Sequence, residues 1–223
     1  MPNWVSNQLM FSGQPDKIEA VVNLIKSDLE NDNFNLLKLL PLPEKAPARF
    51  AKIDKKFKPD PKSDLPTWYQ ANWYDYNIER FGCKWINLTD IDYGIDYDYI
   101  EINFMSPWSP LDKNCIEELA NKYQLRVQNN FQDHENMEYY GLTISDFAYQ
   151  KTQHYYDNFA FKIDADEDDE RYDEQYDEKV DLFYESAHKF VNEKVVLYDK
   201  LYGFKATKVN KEQKSKVTTN NRS

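Results

Sequence analysis

Carboxylates dominate the residues of this chain that could do chemistry, and they crowd into one stretch. From Asp164 to Asp181 the sequence reads DADEDDERYDEQYDEKVD, eleven acids against Arg171 and Lys179, a local charge of −9 in a chain of net −11. Cation ligation, paired acid–base catalysis and docking on a basic partner all use such groups. Spacing argues against the EF-hand form of the first. Asp164, Asp166 and Asp168 stand two apart as the first ligands of that loop do, but its sixth and twelfth positions hold Asp169 and Gln175. The loop requires Gly and Glu there. Asp90, Asp92, Asp96 and Asp98 of DIDYGIDYD fail the same comparison. The expectation is no metal and no cofactor.

Catalysis finds no better footing. His134, His154 and His188 sit in unrelated polar contexts, and no GxSxG, HExxH or Cys-His pattern accompanies them. Five glycines leave no Gly-rich phosphate cradle. Abundant carboxylates do not identify a catalytic pair, which is marked by perturbed acidity in a cleft. The expectation is a protein that is not an enzyme. Cys83 and Cys115 lie outside any CxxC arrangement and read as buried thiols. MPNWVSNQLMFSG lacks the positive start and apolar run of a signal peptide. Together these point to a cytosolic location. No apolar run reaches the ~20 residues that span a bilayer, so no membrane contact is expected.

Docking remains. Acids near a helix start are favoured by its dipole, and a solvated helix face is the plain explanation. Nine excess charges exceed what capping requires, since close like charges on a helix repel. The alternative is an acidic, DNA-mimic-like surface for a basic partner. It would be formed by Asp166, Asp168, Asp169, Glu170, Asp173, Glu174, Asp177 and Glu178, with Asp92, Asp96, Asp98 and Glu101. Direct nucleic-acid binding is not expected. Tyr93, Tyr97 and Tyr99 could stack on bases, but carboxylates interleave them and would repel phosphates. A different class of function would use a pocket walled by Trp73, Trp85, Trp108 and Tyr140 to sequester a nucleotide signal.

The elements that position these residues follow from periodicity. Asn3–Phe11 reads as a strand. Ile18, Val21, Val22, Ile25 and Leu29 form one helical stripe after Pro15. The Pro/Lys-rich segment 44–66 reads as a basic insertion. A helix is expected over Thr67–Arg80, capped by Thr67 and ended by Gly82. Strands follow from Lys84 to Met105, with a turn near Gly94. Their apolar parity switches after Tyr99, implying a bulge or a tyrosine-covered outer face. Ser109-Pro110 starts a second helix with Ile116, Leu119, Ala120 and Tyr123 inward. QLRVQNNF and MEYYGLTISDFAYQ are two more strands. One long helix is expected from about Asp168 to Tyr202. Its near-heptad apolar positions suit either self-association into a homo-oligomer or packing on the chain's own sheet.

This β-α-insert-β-β-α-β-β order predicts an α+β, ferredoxin-like antiparallel sheet with helices on one face, plus a long C-terminal helix. The blocks MPNWVSNQLMFSG, FNLLKLLPLPE, WYDYNIERFGCKW and FMSPWSPL also resemble the Api92-like, or YubB-like, ferredoxin-fold proteins of bacteriophages and conjugative plasmids. Phe81 stands before Gly82 where that family's pattern has Trp. The resemblance covers about residues 1–147 and implies a mobile-element accessory protein without catalytic residues to carry over. The expected divisions are a ferredoxin-like domain at 1–150, an acidic helical extension at 151–204 and a disordered basic tail at 205–223. The functional expectation is a phage- or plasmid-encoded inhibitor of a host bacterial protein, a nucleic-acid-handling defence factor with a basic surface.

Overall fold

Six strands form one sheet in the order β4-β5-β1-β6-β7-β8, every neighbouring pair antiparallel. The strands are β1 (Trp4–Ser12), β4 (Asp92–Ile95), β5 (Tyr99–Pro107), β6 (Arg126–Asp133), β7 (Tyr139–Asp146) and β8 (Lys151–Asn158). Two further strands, β2 (Phe34–Asn35) and β3 (Asn87–Leu88), pair with each other. The helices are α1 (Pro15–Glu30), α2 (Leu36–Leu39), α3 (Thr67–Phe81), α4 (Lys113–Tyr123) and α5 (Arg171–Tyr202). The structure is a computed structural model and describes residues 3–31, 34–88, 92–133, 136–161 and 171–202. The path β1-α1-β4-β5-α4-β6, with β1 between β5 and β6, is the expected ferredoxin-like arrangement.

Parity decides which face is which. In β1 the odd residues Val5, Asn7, Leu9 and Phe11 are buried and their even neighbours are not. Register carries the same parity across the sheet, pairing Leu9 with Ile102 and Asn129, and Phe11 with Ile100 and Val127. This face meets Ile18, Val21, Ile25 and Leu29 of α1 and Ile116, Leu119 and Ala120 of α4 in one core. Trp68, Tyr69 and Tyr76 of α3 join it, and Phe50 plugs in from the basic insertion, edge-on to Tyr76 at 5.4 Å.

The even residues of β7 point the other way. Tyr140, Leu142 and Ile144 pack against Phe183, Ala187, Phe190 and Tyr198 of α5. The expectation of helices on one face therefore holds for α1, α3 and α4, while α5 lies on the opposite face over β7 and β8. Its apolar stripe is spent on the chain's own sheet. Tyr198 donates to the Lys151 carbonyl at 2.8 Å, and Arg126 pairs with Asp199 at 2.6 Å.

Other expectations are corrected. Lys151–Asn158, assigned from sequence to the helical extension, is an edge strand of the sheet. Its polar side chains hid it, because an edge strand buries little. Gly94 lies inside β4, and the turn is at Asp96–Asp98, where the Asp96 N–H donates to the Tyr99 carbonyl. The parity switch marks that hairpin rather than a bulge. Asp112, not Ser109, caps α4 by accepting from the Asn114 N–H at 2.7 Å. Ser109 is occupied, its hydroxyl donating to the Gly82 carbonyl. Pro66 occupies the cap position of α3, and Thr67 is its first helical residue, while Gly82 ends the helix at φ +82° as expected.

Candidate functional site

The first turns of α5 carry the described part of the acidic stretch. Asp173, Glu174, Asp177 and Glu178 are all exposed. Phe183 and Phe190 fix this geometry by facing the sheet, and Lys179 anchors the same end by donating to the Asn136 carbonyl at 3.1 Å. Among the described residues, none of these four acids forms an ion pair. Asp166, Asp168, Asp169 and Glu170 lie outside the described residues.

The second half of the expected surface is elsewhere. α5 begins beside the β6–β7 connection and reaches Arg126 near its far end. Asp96 and Asp98 flank the β4–β5 hairpin, and Ser12, opposite Tyr99 at that hairpin, also pairs with Arg126. The two acidic groups therefore sit at opposite ends of the strands, about 25 Å apart at ~3.3 Å per residue. Asp92 pairs with Asn103 in β4. Glu101 belongs to neither end. Its carboxylate accepts from Gln8 at 2.9 Å and Asn103 at 3.1 Å, closing an amide ladder that continues through Asn130 to Gln128. The tyrosines do not form one platform either. Tyr93 packs toward the helical core, Tyr97 is 77% exposed at the hairpin tip, and Tyr99 is half-buried.

A second feature gathers aromatics. A pocket of about 630 Å³ opens between α3, the segment after it and the ends of β1 and β5, lined by Trp4, Tyr69, Trp73, Lys84, Trp85 and Met105 among others. Trp85 lies 6.2 Å from Trp4 and 5.6 Å from Trp108 between ring centroids. Trp73 and Trp85 line this pocket, and Trp108 stands against Trp85 without lining it. Tyr140 does not join them, because it is spent on docking α5 against Phe183 and Phe190. Lys84, Trp4 and Tyr69 were missed. Lys84 was legible as a cation inside the densest aromatic stretch, whereas Trp4 reached the pocket only through strand pairing.

A buried polar network holds the loop carrying Trp108. Asn7 donates to Ser106 Oγ at 2.7 Å, Ser106 donates to the Ser109 carbonyl at 2.7 Å, and Asn129 donates to Asn7 Oδ1 at 3.1 Å. Both thiols are buried, and burial pushes Cys83 up to about 12 and Cys115 well above its ordinary value, which suppresses the thiolate a nucleophile needs. Among the described residues no group of three or more His, Cys, Asp or Glu could hold a metal ion, and no helix is long and apolar enough to cross a membrane.

Residues 86–183 match the family described as the ferredoxin-like domain in Api92-like protein. A crystal structure of a protein api92 from Yersinia pseudotuberculosis is similar at 11% identity, over 73% of this chain and 100% of that one, with a TM-score of 0.41. None of the curated proteins matches the chain.

Proposed function

We propose that this chain, which carries the ferredoxin-like domain of Api92-like proteins across residues 86–183, is a non-catalytic binding protein that docks a basic protein partner through the start of α5. One observation carries the reading. Asp173, Glu174, Asp177 and Glu178 project from a helix whose other side is pinned to the sheet, and no cation among the described residues pairs with them. A fixed, unneutralised row of carboxylates speeds encounter with a basic surface and selects for it. The segment Asp164–Glu170 adds acids immediately before it. The resemblance to phage and plasmid proteins supplies the setting: a mobile-element accessory protein in a bacterial cytoplasm that inhibits a host protein, a nucleic-acid-handling defence factor whose substrate groove is basic. The Asp96–Asp98 hairpin is too far from α5 to share one small patch and serves only a partner that wraps the sheet.

The test is co-purification from bacterial cells, comparing the natural chain with one carrying Asp173→Asn, Glu174→Gln, Asp177→Asn and Glu178→Gln. The reading expects a basic protein retained by the first and lost by the second. Equal retention by both removes the acidic face from the account.

A further inference from the structure

We infer that the aromatic pocket beside Lys84 is a binding site for a planar anion of mononucleotide size, independent of the acidic face of α5. The first observation is the setting of Lys84. Its ammonium lies 6.0 Å from the ring centroid of Trp73, 5.2 Å from Tyr74, 5.1 Å from Trp85 and 5.4 Å from Trp108. Rings hold a cation by their faces, but its three N–H donors meet no carboxylate or carbonyl among the described residues. In contrast, the pocket amides of Gln70 and Asn77 are satisfied within the chain. Gln70 donates to Leu65 and accepts from Asp60, and Asn77 donates to Lys84 and accepts from Tyr69. The open valence of the site is therefore an anion acceptor at Lys84.

The second observation is exposure. Trp73, Tyr74, Trp85 and Trp108 are 38%, 46%, 40% and 50% exposed. Trp73 and Trp85 line the pocket and Tyr74 and Trp108 stand beside it around the same lysine, so these partly exposed rings form a stacking surface that the chain's own core does not use. The third is strain. Trp108 holds φ at +65°, a left-handed backbone that a bulky side chain rarely adopts. The buried network through Asn7 and Ser106, and the 2.6 Å bond from the Trp108 N–H to the Asn3 carbonyl, flank this residue on both sides. A half-exposed tryptophan gains little core energy in return, and strain of this kind collects at ligand sites.

Ligand chemistry follows. The rings take a flat π system, Lys84 takes a phosphate or carboxylate, and about 630 Å³ is the volume range of a small-molecule site. A polynucleotide is disfavoured, because a chain of net −11 repels a long phosphate backbone. A mononucleotide places one charge at the one lysine.

The full chain is titrated with AMP and GMP, and separately with adenosine and inorganic phosphate, following tryptophan fluorescence and heat of binding. The inference expects quenching by the mononucleotides and weaker binding of each half alone. Lys84→Gln and Trp85→Leu each weaken binding by about tenfold or more. Trp108→Gly separates binding from folding. Glycine suits the left-handed backbone, so this variant melts no lower than the natural chain yet binds AMP more weakly. No quenching by either mononucleotide at millimolar concentration overturns the inference. So does unaltered binding in folded Lys84→Gln, or a single-stranded oligonucleotide that binds better than AMP.

Discussion

Replacing Phe183 with Ala should release α5 while leaving the helical side of the sheet intact. Phe183 is fully buried, with ring centroids 5.2 Å from Phe159 and 5.8 Å from Tyr140. Deleting a buried phenyl costs about 3–5 kcal/mol. The loss falls on a cluster whose buried members are Met137, Tyr140, Phe183, Ala187 and Phe190, and none of these belongs to the large core under α1 and α4. Nor can the start of α5 stand alone, since Asp173 with Asp177 and Glu174 with Glu178 are like-charged pairs four apart, each costing about 0.2–0.5 kcal/mol. Native-state hydrogen exchange should therefore accelerate in α5 by roughly 10²- to 5 × 10³-fold, as about 3–5 kcal/mol of lost docking requires. Amides of β1 and β5 should keep their protection. Equal losses across α5, β1 and β5 would refute the division into two cores, and unchanged exchange in α5 would refute its docking through Phe183.

Two further outcomes follow from packing and titration. In Gly141→Ala the new methyl would collide with the Phe131 ring, which stacks on His154, and lie 2.6 Å from the Tyr155 carbonyl oxygen. The urea midpoint should fall by the equivalent of at least about 2 kcal/mol, and an unchanged midpoint counts against the β6-β7-β8 register. Burial pushes the Tyr123 phenol from 10.0 up to about 12 while it donates to the Leu39 carbonyl at 2.7 Å. The folded chain then keeps a proton that the unfolded chain releases, so this contribution is complete below pH 10 and disappears between 10 and about 12. Tyr123→Phe should cost about 1 kcal/mol at neutral pH and flatten the alkaline fall in melting temperature, and an equally steep fall in the variant contradicts it.

Local periodicity made the βαββαβ core readable. The stripe from Ile18 to Leu29, the left-handed stop at Gly82 and the alternation in β1 each depend on neighbours a few residues apart, which a sequence displays directly. What it hid was set by distant partners. β8 carries polar side chains because, as an edge strand pairing only with β7, it buries little, so no alternation announced a strand. Tyr140 looked like a pocket wall, and the parity of β7 turned it toward α5. Ser109 resembled a helix cap, but the Gly82 carbonyl twenty-seven residues away claimed its hydroxyl. The nearness of Trp73 and Trp85 was legible because they lie in one aromatic block, whereas Trp108 reaches Trp85 from a separate loop. Lys84, the group that gives that cluster its chemistry, was passed over as one cation among many.

The most direct measurement is the association rate of the captured partner with the natural chain and with the variant lacking the charges of Asp173, Glu174, Asp177 and Glu178, followed across ionic strength. The account predicts a rate that falls steeply with salt for the natural chain, and a slower, flatter dependence for the variant, whose net charge is −7 instead of −11. Equal rates with equal salt slopes would contradict it.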